Sequence, residues 1–258
     1  MPQPALYSSS DAGDRAQGWP DVDRAFRVAC TVAEILIVES VVCGLAALPS
    51  ALLWARLASW TSDTPGLRAV IAAAFVVPSY VLFALLLIAC SAVATRLTGA
   101  RTVSNAEWPI RDLGWPLLRW VRYMVATHIV RIVAGWLFRA SPVWTAYLRL
   151  NGARIGRGVY VNTLSITDHN LLELGDGVVI GENVHVSGHT VERGVVKTGR
   201  VTLAAGVTVG IGSVIGIDVD AGRGCQVGAL SLVPKHSRLH ADSVYAGIPV
   251  HRMDGPRQ

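Results

Sequence analysis

A period of six residues runs through the second half of this chain. From Leu203, every sixth position carries Val209, Ile215, Ala221, Val227, Val233 and Leu239, all apolar. Four residues after each of the seven stand Val207, Ser213, Val219, Cys225, Ser231, Ser237 and Ser243, small or β-branched. Ala204, Gly210, Gly216, Gly222 and Gly228 follow directly on the first five. An α-helix repeats about every 3.6 residues and a strand every two, so neither produces this beat. A triangular parallel β-helix does: six residues form one flat side, the aliphatic residue points inward, and a small residue serves the corner. Three sides close a coil, and stacked coils bury a continuous core.

The beat starts earlier, at Ile155 and Val161, and continues through Leu174, Ile180 and Val186. Two phase slips interrupt it, around "LSITDHNLLE" and "SGHTVERGVVKTGR". A slip in a solenoid is a loop thrown out from a corner, and loops on a regular scaffold are where sites are built.

The first half has a different character. The chain is 52% hydrophobic and only 16% charged, and its apolar runs lie before residue 100. From Ala69 to Thr95 no residue is charged, long enough to cross a bilayer, which takes roughly 20 residues. Pro78 is expected to kink that helix. The run from Val28 to Leu57 contains Glu34 and Glu39; these carboxylates sit at the interface or are buried against a neighbouring helix as functional groups. Spans are expected over 32–57 and 69–95. The segment 113–139 mixes tryptophans with Arg119, Arg122, Arg131 and Arg139, which suits a helix lying among headgroups. Residues 1–24, with four aspartates and three prolines, read as a polar tail and not a signal peptide. The regions are therefore 1–24, a membrane helical region 25–148 and a β-helix domain 149–258.

The +5 net charge is carried almost wholly by scattered arginines, which suits an anionic membrane face and gives no support to nucleic-acid binding. Their distribution favours both ends of the helical pair in the cytoplasm, hence a multi-pass inner-membrane protein with its β-helix in the cytosol. The four cysteines show no CxxC spacing, and no metal site or disulfide is expected.

With "VTVGIGSVIG" and the closing turn "AGIPVHRM" on the page, the chain resembles the hexapeptide-repeat transferases, whose fold is a left-handed parallel β-helix. Over roughly residues 104–253, "YLRLNGARIGRGVYVNT", "ITDHNLLELGDGVVIGENVHVSGHTVERG" and "LSLVPKHS" look like the membrane-linked terminal domain of some non-ribosomal peptide synthetases, of which the poly-ε-lysine synthetases are the best-known type. That resemblance implies an acyl- or aminoacyl-transferase. Within these 258 residues no adenylation or carrier segment is recognisable, so the activated group is expected from elsewhere, as acyl-CoA or a phosphopantetheinyl carrier-protein thioester. His189, in "SGHTVERG", matches the position of the family's catalytic base, and a histidine titrating near neutrality suits that role. Its orienting acceptor is left open among Glu192, Asp168, Glu173 and Glu182, and His169 is a candidate to line the same cleft. In related soluble enzymes the pantetheine arm lies along the coils, which implies Ala204, Ala205, Gly206, Gly210 and Gly212 for backbone contact. The resemblance also implies a homo-oligomer, trimeric or dimeric. Two other readings stand beside this one. The β-helix could be a non-catalytic oligomerisation platform, or His169, His185 and His189 could hold zinc as in the γ-type carbonic anhydrases.

Overall fold

The computed structural model describes residues 18–60 and 64–253. The polar tail expected over 1–24 falls outside the described residues as far as residue 17; from Gly18 onward it is already helix. Helix α1 (Gly18–Trp60) and helix α2 (Pro65–Leu97) pack along each other as a hairpin that contains both expected spans. Its outer faces carry exposed Leu36, Ile37, Val41, Val70, Val76 and Val77, while Val42, Ala46, Ala84, Leu87 and Ala92 are buried. Small side chains at a helix–helix contact with large apolar ones turned outward are the arrangement lipid favours. Ser50 Oγ donates to the Ser79 carbonyl, 3.1 Å away on the facing helix. Helix α2 runs through Pro78 without interruption.

Helix α3 (Trp115–Val130) continues through one π-helical turn, Arg131–Gly135, into α4 (Trp136–Phe138). By length and composition, three helical stretches could cross a membrane: Val22–Trp60, Pro65–Leu97 and Trp115–Phe138. The third, expected as an interfacial helix, is the least apolar of them. It packs against both α1 and α2, and its Arg122 pairs with Glu34 inside the first apolar run. A carboxylate in such a run is tolerated when a cation neutralises it at short range. Helix α5 (Pro142–Leu150) starts on an N-cap, Ser141 Oγ accepting from the Trp144 amide, and leads into the solenoid.

From Arg154 the chain winds into a three-faced parallel β-helix, closed at its end by an antiparallel pair, Val244–Ala246 with His251–Arg252. In the regular coils each strand pairs with the one three sides further along the chain, as in Thr208↔Gln226, Val214↔Leu232 and Asp220↔Arg238. Each turn of the solenoid therefore uses three repeats. All seven residues of the six-step series from Leu203 are buried, as are Val161, Leu174, Ile180 and Val186 before them. The corner glycines have a steric reason. A Cβ on Gly222 would come within 2.6 Å of the Ala241 nitrogen in the next coil, closer than real Cβ atoms approach backbone. Conformational freedom is not the cause there, since Gly222 is not among the positive-φ residues. Gly222→Ala should therefore loosen coil stacking by on the order of 2 kcal/mol, read as a lower unfolding midpoint of the detergent-purified protein; an unchanged midpoint would refute the stacking argument.

Candidate active site

The two phase slips have different sizes. The larger one falls between His185 and Val214, which pair across neighbouring coils, as do Val179 and Thr208. The chain between these partners is much longer than one regular turn, and the surplus leaves the solenoid as a β-hairpin. Its strands, His189–Glu192 and Val195–Thr198, pair antiparallel with His189 opposite Thr198. Arg193 and Gly194, both at positive φ (48° and 75°), form the two-residue turn, a conformation that matches strand twist. Glu107–Pro109 adds a third strand, with Trp108 opposite Val196. The Gly199 amide donates to the Gly188 carbonyl at 2.9 Å and closes the root. The earlier slip barely lengthens its coil, as the pairs Arg154↔Glu173 and Tyr160↔Val179 show. It places Asp168 at φ 51° and ψ 54°, followed by a short 3-10 turn, His169–Leu171.

The two irregularities meet. His189 Nδ1 lies 2.6 Å from Asp168 Oδ2. The other carboxylate oxygen, Oδ1, accepts from Thr102 Oγ1 at 2.7 Å and from Trp120 Nε1 at 2.9 Å. Asp168 is 1% exposed, while the His189 side chain keeps 19% of its surface. The Trp120 and His189 rings meet edge to face with centroids 4.9 Å apart, and Trp108 stands 6.5 Å from Trp120. Burial on its own would raise the Asp168 carboxyl, but the bond and charge of His189, with the bonds from Thr102 and Trp120, outweigh it and hold the group below the usual carboxylate range. An ionised acceptor on Nδ1 fixes the imidazole with its proton there, which leaves Nε2 as the basic nitrogen. Gly188 makes room: a Cβ at that position would sit 2.6 Å from the Asp168 Cβ.

Of the four carboxylates left open as orienting partners, Asp168 contacts His189. Glu192 lies at the far end of the hairpin strand, paired with Lys235. Glu173 pairs with Arg154 and Arg200, and Glu182 with Arg139. His169 does not line a cleft shared with His189. It is 2% exposed and ringed by Tyr123, Trp144 and Tyr147, with centroids 5.7 to 6.5 Å away. The zinc reading asks His169, His185 and His189 to converge, and His169 is instead enclosed by aromatics; among the described residues, no three His, Cys, Asp or Glu side chains are grouped to hold a metal. Ala204, Ala205 and Gly206 form one corner of a coil, and Gly210 and Gly212 the next. The amides of Ala204, Gly206, Gly210 and Gly212 donate to carbonyls of other coils and hold the solenoid together. Thr102 and Trp120 are not legible as site residues in the sequence. They lie outside the repeat, and Trp120 stands in a segment whose tryptophans suit a membrane interface.

No known protein-family profile matches the chain. Over 111 residues it is 30% identical to the delta-poly-L-ornithine synthetase of Acinetobacter baumannii (strain AB307-0294). The match takes in 43% of this chain but only 8% of that protein's length. Among solved structures, a hexapeptide-repeat acetyltransferase from Vibrio cholerae in complex with acetyl coenzyme A is similar at 20% identity and a TM-score of 0.38, covering 42% of this chain and 62% of that one. A galactoside acetyltransferase in complex with coenzyme A aligns at 20% identity and 0.38, over 50% and 80%. An N-acyltransferase from Bacillus cereus, with dTDP and 3-hydroxybutyryl-CoA, aligns at 20% and 0.28, over 44% and 88%.

The aromatic enclosure of His169 carries a pH signature. Burial pushes its pKa down to about 4. On acidification the unfolded chain takes up this proton near the ordinary histidine value of about 6.5, whereas the folded one stays neutral to about 4. Stability is thus intact above the unfolded value and falls as pH drops through this window. Between about pH 7 and 4.5 the wild type should lose about 2 kcal/mol more than His169→Leu, measured by denaturant unfolding at both pH values. Parallel curves for the two proteins would contradict a neutral, buried His169.

Proposed function

We propose that the chain is a membrane-anchored acyl- or aminoacyl-transferase that uses His189 as general base. The observation that carries this reading is the Asp168–His189 pair at the root of the hairpin: a buried carboxylate on Nδ1 and a partly exposed ring whose Nε2 is left for an acceptor. The acceptor's amine or hydroxyl loses its proton to Nε2 as its nitrogen or oxygen bonds to the thioester carbonyl carbon. The tetrahedral adduct then collapses, the C–S bond breaks, and the imidazolium returns the proton to the departing sulfur. Asp168 stays ionised throughout and stabilises the imidazolium, as an orienting acid does in acyl-transfer triads.

The donor is a thioester of coenzyme A or of a phosphopantetheinyl carrier protein, and the coils wind left-handed as in the hexapeptide-repeat transferases. The similarity to part of an ornithine-polymer synthetase favours an amino-acid or peptide amine as acceptor. Helices α1 and α2 hold the protein in the cytoplasmic membrane. Helix α3 lies along the surface, since its Trp120 and Tyr123 rest on Asp168 and His169 of the solenoid. The β-helix then stands in the cytosol and associates with further copies of itself, as a trimer or a dimer.

The test is acyl transfer by the detergent-purified protein against acyl-CoA and carrier-protein thioesters, with ornithine, lysine and hydroxylated acceptors. His189→Ala should cost ~100-fold or more in kcat while the solenoid remains folded by circular dichroism. Equal rates in both proteins would remove His189 from the chemistry, and no transfer by either protein with any donor would favour the solenoid as a non-catalytic platform.

A further inference from the structure

The Asp168 carboxylate takes three side-chain hydrogen bonds, and two come from outside the β-helix. Thr102 belongs to the segment that follows α2, and Trp120 to α3. Within the solenoid, His189 is the side chain bonded to this carboxylate. A buried carboxylate with too few donors rotates toward other partners or takes up a proton, since desolvation disfavours its charged form. Its side chain also packs closely, since a Cβ on Gly188 would come within 2.6 Å of the Asp168 Cβ. Helix α3 is well placed to hold this side chain. Tyr123, one turn along from Trp120, is buried against the His169 ring that follows Asp168 in sequence. Asn170, two residues beyond Asp168, exchanges two hydrogen bonds with the Thr102 backbone, at 3.2 Å and 2.7 Å. The helical half therefore grips the Asp168 loop at three successive residues.

We propose that Thr102 and Trp120 are positioning residues of the site: by fixing Oδ1 of Asp168 they turn Oδ2 toward His189 and hold its imidazole in the tautomer with the proton on Nδ1. This deepens the transferase reading and rests on it for its catalytic meaning, while the geometry it describes can be tested without substrate. The site then belongs to both halves of the chain. The β-helix supplies the base and the acid, and the helical region supplies the clamp that aligns them. A helix packed on the membrane hairpin thereby holds a group in the solenoid ready to react.

The test uses the full chain in detergent, labelled with ¹⁵N-histidine, and reads the His189 ring nitrogens by NMR, assigned through His189→Ala. Wild type is expected to show a single Nδ1–H tautomer. Trp120→Phe keeps an aromatic six-membered ring while removing the pyrrole ring that carries the N–H, and Thr102→Val keeps the branched shape and removes the hydroxyl. Their combination should convert His189 to a mixture with a substantial Nε2–H form, whereas Thr102→Ser should restore the wild-type spectrum. With a donor and acceptor that support turnover, the double variant should lose between ~10- and ~1,000-fold in kcat, short of the ~10,000-fold that loss of an orienting acid costs elsewhere, with KM unchanged. An unaltered Nδ1–H tautomer in a folded double variant would overturn the proposal, even if His189→Ala abolishes transfer. A shifted tautomer would uphold the clamp even if His189→Ala left transfer intact, a result that would sink the base role alone.

Discussion

A carboxylate removed from water is costly unless donors surround it, and much of this molecule's arrangement can be traced to how Asp168 is supplied with them. Its three partners come from the segment after α2, from α3 and from the hairpin. Bringing those segments to one point brings together the membrane-type helices and the solenoid. The ion pair between Glu34 and Arg122 ties α3 in turn to α1, so the helix that bonds Asp168 is itself anchored to the first apolar helix. Beside Asp168 lies an aromatic cluster, Trp144, Tyr147 and Tyr123 around a neutral His169.

The solenoid contributes rigidity. Each coil repeats the same inward residue and the same backbone ladder, so a departure from the repeat is held in place by regular coils above and below. The hairpin is such a departure, and so is the short 3-10 turn that follows Asp168. The coil leading into Asp168 lies against the one leading into His189, with Ile166 bridged to Val186. Two loops remote in sequence are thus stacked side by side. Coil stacking, and not loop proximity in sequence, makes the pair.

That distinction separates what could be read from the sequence from what could not. The six-step series from Leu203 to Leu239 was legible because every inward position obeys one simple rule, and all seven side chains are buried in the structure. His189 was visible as a histidine where the rule breaks. Its partner was not decided, since Asp168, Glu173, Glu182 and Glu192 are equally available in one dimension; only the fold shows three of them committed to basic side chains. His169 was misplaced because a loop histidine and a core histidine look alike without the aromatic residues of two other helices around it. Thr102 and Trp120 carry no periodic signal, and a tryptophan in an apolar, arginine-bearing segment has a sufficient explanation in the membrane interface.

The pairing of acid and base is tested most directly by a double-mutant cycle on kcat/KM for Asp168→Asn and His189→Ala, with the donor and acceptor that support turnover. If Asp168 acts only through His189, the two losses do not add: once the imidazole is gone, changing the acid costs nothing further. The double variant should then be as active as His189→Ala alone. Losses that multiply, with the double variant slower than wild type by the product of the two factors, would show that Asp168 and His189 act separately and would contradict the pairing.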